Sequence, residues 1–162
     1  MKVEDVMKSP VITVKPGDTL SDVASVLSEN RISGAPVVND EGTLVGIISE
    51  EDLIEKSQAL NVRVSYDIFG WVSPQTSVEH MARFTQGLCT LGDMTVREIM
   101  TSRVLTVSPG DSLEEAAKLM AKRDINRLPV LDGSELVGII SRADLVWAMV
   151  HLCEVKPGIF DQ

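Results

Sequence analysis

Gly46-Ile47-Ile48-Ser49-Glu50-Glu51-Asp52-Leu53 returns later in the chain as Gly138-Ile139-Ile140-Ser141-Arg142-Ala143-Asp144-Leu145. In both stretches a short β-branched run stops at a serine, and an aspartate follows three residues on. That pattern reads as a buried strand passing directly into a helix. The match continues upstream. Val11-Ile-Thr-Val-Lys-Pro-Gly-Asp18 pairs with Val104-Leu-Thr-Val-Ser-Pro-Gly-Asp111, Pro36-Val-Val with Pro129-Val-Leu, and Val3-Glu-Asp-Val-Met7 with Val96-Arg-Glu-Ile-Met100. A duplicated unit means copies that pack together, and any site in one copy has a twin in the other.

Each copy spells the same order of elements. Val11–Val14 predicts a strand, ended by the turn Lys15-Pro-Gly-Asp18. Leu20, Val23, Ala24 and Leu27 then recur at helical spacing, as do Leu113, Ala116, Ala117 and Met120. Asp18 or Thr19 can cap the first of these helices, and Asp111 with Glu114 has capping-box spacing in the second. Ala35–Val38 and Thr43–Ile48 flank the turn Asn39–Gly42 and read as a hairpin with Pro36 at the start of its strand. A second helix begins near Ser49. Val3–Met7 and Val96–Met100 each predict a helical turn ahead of the unit. The fold class is therefore α/β of the α+β type, built from two β-α-β-β-α units. A single unit of about 55 residues buries too little surface to be stable alone.

The expected boundaries are residues 1–60 for the first unit, 61–94 for an insert, 95–153 for the second unit and 154–162 for a tail. From Ser57 to Met94 the repeat has no counterpart. Asn61–Gly70 reads as extended and Ser77–Leu88 as a helix, and Tyr66 and Trp71 serve as packing anchors or as a docking surface.

Composition narrows the function. Aromatic residues make up only 4% of the chain, so its cores must be aliphatic. A net charge of −9 argues against nucleic-acid binding, which needs a basic surface. The start Met1-Lys-Val-Glu-Asp has no apolar run of a signal peptide, and no stretch nears the roughly 20 apolar residues of a membrane span. Cys89 and Cys153 have no metal-ligand spacing and read as free thiols. A cytoplasmic protein is expected, with no membrane partner. His80 and His151 lack ligand-spaced neighbours, no phosphate-binding Gly-rich loop is present, and no serine has a catalytic His–Asp context. No catalytic residue, no metal and no required cofactor are expected, so the chain reads as a non-enzyme.

The candidate chemistry lies in Ser49-x-x-Asp52 and Ser141-x-x-Asp144, and it has two readings. Ser-x-x-Asp at a helix start is a capping pattern. The same helix start presents free N–H groups and partial positive charge, which attract phosphate, and a carboxylate one turn in can accept from the paired hydroxyls of a ribose.

The doubled Thr-Val-x-Pro-Gly-Asp, Pro-Val and Gly-Ile-Ile-Ser-x-x-Asp-Leu motifs, in this order, resemble a tandem pair of cystathionine-beta-synthase-type (CBS) domains. The resemblance covers roughly Val3–Ala59 and Val96–Cys153. It implies that the two β-α-β-β-α units pack as a pseudo-twofold pair with two clefts, each able to hold an adenosine-containing ligand. By that resemblance one ligand set is Ser141 and Asp144, with Ile139 beneath the sugar and Ile12, Ile32 and Ser33 around the adenine. The other is Ser49 and Asp52, with Leu105, Ile125 and Asn126. The twins differ in charge. Arg142 and Arg127 stand by the first set, where the other copy has Glu50 and Gly34, with Glu51 adjacent. Arg favours an anionic ligand and carboxylates repel one. The resemblance thus implies a sensor of an adenine nucleotide (AMP, ADP or ATP), with S-adenosylmethionine or a dinucleotide as alternatives. It also implies a homodimer formed through helical stripes such as Leu53, Ile54, Leu145, Val146, Trp147 and Val150, and output on an effector protein that the sequence does not name. A ligand-independent scaffold with the same fold is the competing expectation.

Overall fold

A computed structural model describes residues 1–59 and 89–154. The helix expected over Ser77–Leu88, the extended run Asn61–Gly70, Tyr66, Trp71 and His80 all lie outside the described residues, as does the tail from residue 155.

The chain forms a 3-10 turn at Val3–Asp5, α1 at Leu20–Asn30, β1 at Gly34–Val38, β2 at Leu44–Ser49 and α2 at Glu50–Ala59. The second half repeats the order with α3 at Val96–Ile99, α4 at Leu113–Arg123, β3 at Arg127–Asp132, β4 at Glu135–Ser141 and α5 at Arg142–Glu154. Strands β1 and β2 are neighbours in one two-stranded sheet, and β3 and β4 in another. In the second sheet the strands run antiparallel, with Arg127 opposite Ser141 and Pro129 opposite Ile139. Gly133, at φ 61°, takes the left-handed turn between them.

The strand expected over Val11–Val14 shrinks to one parallel bridge, Val14 to Val37, and its twin to Val107 with Val130. The partner strand supplies the reason. Val14 N–H donates to the Pro36 carbonyl, and the Val14 carbonyl accepts from Val38 N–H. The next rung back would need an N–H from residue 36, which is proline. Pro129 stops the second ladder in the same way, since Val107 N–H donates to its carbonyl. Pro36 accordingly sits inside β1 rather than at its start.

Helices α1 and α4 start on reciprocal capping boxes. Thr19 Oγ1 accepts from Asp22 N–H, and Asp22 accepts from Thr19 N–H and hydroxyl. Ser112 and Glu115 do the same, one residue later than the expected Asp111–Glu114 box. Asp18 and Asp111 are used earlier, where each carboxylate accepts the N–H that opens its Pro-Gly turn, from Lys15 and Ser108. Both helices end on a residue in the left-handed region, Arg31 and Asp124. Of the expected apolar stripe of α1, Leu20, Val23 and Leu27 are buried, while Ala24 is exposed and Val26 packs on the core instead.

The chain divides into two compact units, and their membership is interleaved. One comprises Met1–Ile12, Asp40–Leu44 and Arg103–Gln162, the other Thr13–Asn39 and Val45–Ser102. The leading segment of each half therefore belongs with the body of the other half. Val3 is fully buried in a core with Ala116, Met120, Leu128, Val130 and Ile140, and Val96 is fully buried among Leu20, Val23, Val37 and Ile48. The docking bonds are mirrored. Val3 N–H donates to the Asp111 carbonyl and Glu4 N–H to that of Pro109, just as Val96 N–H donates to the carbonyl of Asp18 and Arg97 N–H to that of Pro16. Each Pro-Gly-Asp turn is thus a receptor for the other half's lead. The following methionines close the contact. Met7 Sδ fills the space a Cβ would take at Gly138, and Met100 Sδ fills it at Gly46. That close approach is why the strand entering each Ser-x-x-Asp motif carries a glycine.

Candidate functional site

Both Ser-x-x-Asp motifs fold as capping boxes at the joint of strand and helix. Asp52 Oδ2 accepts from Ser49 N–H and Oγ–H, each at 2.7 Å, and Ser49 Oγ accepts from Asp52 N–H at 3.4 Å. Asp144 Oδ2 accepts from Ser141 N–H at 2.9 Å and from the Ser141 hydroxyl, and Ser141 Oγ accepts from Asp144 N–H at 3.3 Å. The backbone fixes this geometry, because a helix that begins on the last residue of a buried strand must satisfy its first N–H groups locally. One carboxylate oxygen of each aspartate is committed to the box. The other oxygen is where the twins diverge.

Asp144 is buried, with 9% of its surface exposed. Its Oδ1 lies 3.0 Å from Lys8 Nζ, an ion pair between a covered carboxylate and an ammonium that remains largely in solvent. Lys8 comes from the leading segment, and its backbone forms an antiparallel bridge to Ile139, one strand position outside Ile140. In the other unit the matching bridge is Thr101 to Ile47. Thr101 is uncharged, Asp52 is more open than Asp144, and among the described residues no cation pairs with Asp52. Glu50 and Glu51 are both exposed in the first turn of α2, beside Asp52.

Of the two arginines expected beside Ser141, Arg142 is placed differently from the sequence expectation. Arg142 turns away from the box to the end of α4. Its Nε donates to the Ile125 carbonyl at 3.0 Å, and Nη2 donates to Met120 O at 3.4 Å and to Asp124 Oδ1 at 2.9 Å. These bonds tie the start of α5 to the segment that leaves α4. Arg127 is half-buried at the start of β3, directly across the ladder from Ser141.

The remaining expected residues fall as follows. Ile139 is half-buried on β4, and Ile12 is partly exposed in the same compact unit as Ser141, Asp144, Arg127 and Arg142. Ile32 and Ser33, expected in that set, belong to the other unit. Ile32 packs on its own core, and the Ser33 carbonyl accepts from Glu50 N–H. Conversely, Ser49 and Asp52 share a unit with Ile32 and Ser33, while Leu105, Ile125 and Asn126 share one with Asp144. Leu105 is partly exposed, Ile125 packs on the core and Asn126 is exposed.

Lys8 is the residue that sequence reasoning missed. Its signal was present, since Lys8 and Thr101 are the first pair after the matched Val3–Met7 and Val96–Met100 segments.

Among the described residues, no group of three or more His, Cys, Asp and Glu side chains could hold a metal ion. Among the described residues, too, no helix is long and apolar enough to cross a membrane. Cys89 is free and exposed. His151 stacks on Trp147 with ring centroids 3.9 Å apart.

The CBS domain family matches residues 3–59 and 96–151. The chain belongs to the CBS domain family. It is 36% identical over 155 residues to protein MJ1426 of Methanocaldococcus jannaschii, covering 93% of this chain and 92% of that protein. Among solved structures it is similar to CBSX2 of Arabidopsis thaliana in complex with AMP, at 29% identity and a TM-score of 0.67, covering 94% of this chain and 98% of that one. It is also similar to the CBS domain pair of protein MJ0100 in complex with 5′-methylthioadenosine and S-adenosyl-L-methionine, at 25% identity and a TM-score of 0.70, with coverage of 94% and 98%. No catalytic family is indicated by these matches.

Proposed function

We propose that this protein is a non-catalytic regulatory CBS pair that binds an adenosine-containing ligand and signals to another protein. The observation that carries this reading is the near full-length likeness to two CBS structures that hold adenosyl ligands, one AMP and one 5′-methylthioadenosine with S-adenosyl-L-methionine. The residues at the motif support it. Each box leaves one aspartate oxygen outside its own bonds, paired with Lys8 at Asp144, where hydroxyl donors can approach beside a helix start that favours negative charge. In the proposed pose Asp144 and Ser141 take the ribose and the phosphate end with Ile139 beneath the sugar, and Asp52 and Ser49 are their twin. Ile12, Ile32, Ser33, Leu105, Ile125 and Asn126 are the residues proposed for the adenine. An adenine nucleotide is the favoured class for the Asp144 set. Binding free energy that differs between two arrangements of the protein would drive the signal.

A homodimer fits the outer face of α5, where Val146, Trp147, Met149 and Val150 are exposed while Leu145 and Ala148 are buried. On α2, Ile54 is exposed and Leu53 packs on the core. A cytoplasmic location belongs to the same proposal. One observation favours the scaffold alternative. Every donor of each Ser-x-x-Asp box is satisfied internally, so the motif can persist for folding alone.

The test is a thermal-shift panel of AMP, ADP, ATP, S-adenosylmethionine and NAD. A nucleotide shift that disappears in Asp144→Asn is the expected result. No shift with any of them, from protein free of copurified ligand, would leave the scaffold reading.

A further inference from the structure

Lys8 is placed to decide what kind of adenosyl ligand the Asp144 motif accepts, an inference that rests on the adenosyl-site reading above. Three observations meet at this residue. Asp144 is buried, and its Oδ2 is fully used by Ser141. Its remaining oxygen, Oδ1, is held by the Lys8 ammonium at 3.0 Å. The same bridge position in the other unit is Thr101, which brings no charge to Asp52.

A ribose can reach Asp144 only at the oxygen that Lys8 now occupies. Entry of the sugar therefore brings the ligand up against the ammonium, which lies largely in solvent, and a group of opposite charge on the ligand gains a charge-assisted contact there. A 5′-phosphate at the helix start supplies one. An uncharged adenosyl ligand supplies none, and a sulfonium adds a like charge. Arg142 cannot play this part from its present position, because its guanidinium is bonded at the end of α4.

We infer that Lys8 is the specificity-determining residue of the Asp144 motif. It exchanges its partner from Asp144 to the ligand phosphate, and so selects phosphorylated over unphosphorylated adenosyl ligands. The Asp52 motif, with Thr101 in place of Lys8 and with Glu50 and Glu51 nearby, lacks that selection.

Isothermal titration of the full chain carrying Asp52→Asn, with AMP and with adenosine as the two probes, tests this. Asparagine keeps an acceptor for the Ser49 box, and the remaining site is the Asp144 motif. AMP is expected to bind more tightly than adenosine by about tenfold or more, the scale of one charge-assisted contact. Adding Lys8→Thr should collapse that ratio toward unity with adenosine affinity held or improved, and Lys8→Arg should preserve it. An unchanged ratio in Lys8→Thr overturns the inference and leaves the adenosyl-site reading standing. Binding of neither probe by the unsubstituted chain overturns this inference, and if S-adenosylmethionine and NAD also give no thermal shift, the adenosyl-site reading falls with it. Should Lys8→Thr fail to fold, the reciprocal swap decides. Thr101→Lys with Asp144→Asn is expected to give the Asp52 motif a preference for AMP of about tenfold, and absence of any gained preference overturns the inference.

Discussion

Ser49–Asp52 and Ser141–Asp144 close the same box on the same joint of strand and helix, and almost everything around them differs. One aspartate is buried and faces Lys8. The other is half-open, faces no cation among the described residues and has Glu50 and Glu51 beside it. The comparison separates two pressures on one motif. The serine and aspartate are required by the helix start, so their presence says little about ligands. The charges brought by neighbouring segments carry the functional information, and those are where the duplication has drifted.

The comparison can be broken first at the cores. Val3 and Val96 are each fully buried, so Val3→Asp and Val96→Asp should each cost at least about 3–5 kcal/mol, as an uncompensated buried charge does. Denaturant midpoints would show it. A large loss for one substitution and none for the other would mean the two units are not energetically equivalent. Next in size is the ligand contrast. At 100 times its dissociation constant, AMP should add about 2.7 kcal/mol of stability to the unsubstituted chain and to Asp52→Asn, and none to Asp144→Asn. Equal losses in both variants would erase the proposed asymmetry. Smaller again is Arg142→Ala, which removes the side-chain bonds at the end of α4 and should cost about 1–2 kcal/mol, against roughly 0.5 kcal/mol or less for Glu50→Ala.

The smallest effect concerns pH. The Thr19 hydroxyl and N–H donate to Asp22 and hold its carboxyl below the ordinary 3.8, and Thr95 N–H and hydroxyl hold Glu98 below the ordinary 4.5. Both groups are depressed in the folded state. Their stabilisation is therefore present above the ordinary values and is lost as pH falls through the lower folded ones. Carboxyl resonances followed by NMR should titrate with midpoints below those ordinary values, and Asp22 in Thr19→Ala should return toward 3.8.

Much of this was legible from pattern alone. The repeat, the helices and the hairpins follow from apolar period and turn chemistry, and the observed β1 and β2 lie within a residue of the expected hairpin strands. The first strand of each copy was overestimated, because β-branched residues at Val11–Val14 announce extended backbone without revealing that the opposing proline cannot complete the ladder. Capping boxes were misplaced by one residue at α4, since Asp111 was claimed by its own turn. The site was harder. The Ser-x-x-Asp pairs stood out, but Arg142 looked like a phosphate ligand because sequence adjacency cannot show which way a long side chain runs. Lys8 was overlooked because it lies far from Asp144 along the chain, and only the interleaving of the two halves brings them to 3.0 Å.

That interleaving also dictates an order of events during synthesis. The unit built from Thr13–Asn39 and Val45–Ser102 has all its parts once Ser102 has left the ribosome. Met1–Ile12, made before any of that unit, must wait for Arg103 onward. At the roughly 5–20 residues per second of translation, this early segment finds its partners only after the other unit has all of its own. A nascent chain arrested once Ser102 is clear should protect the Val96 amide from hydrogen exchange and leave that of Val3 open. Anything able to grip a short lead of apolar residues and balanced charge has that interval in which to do so.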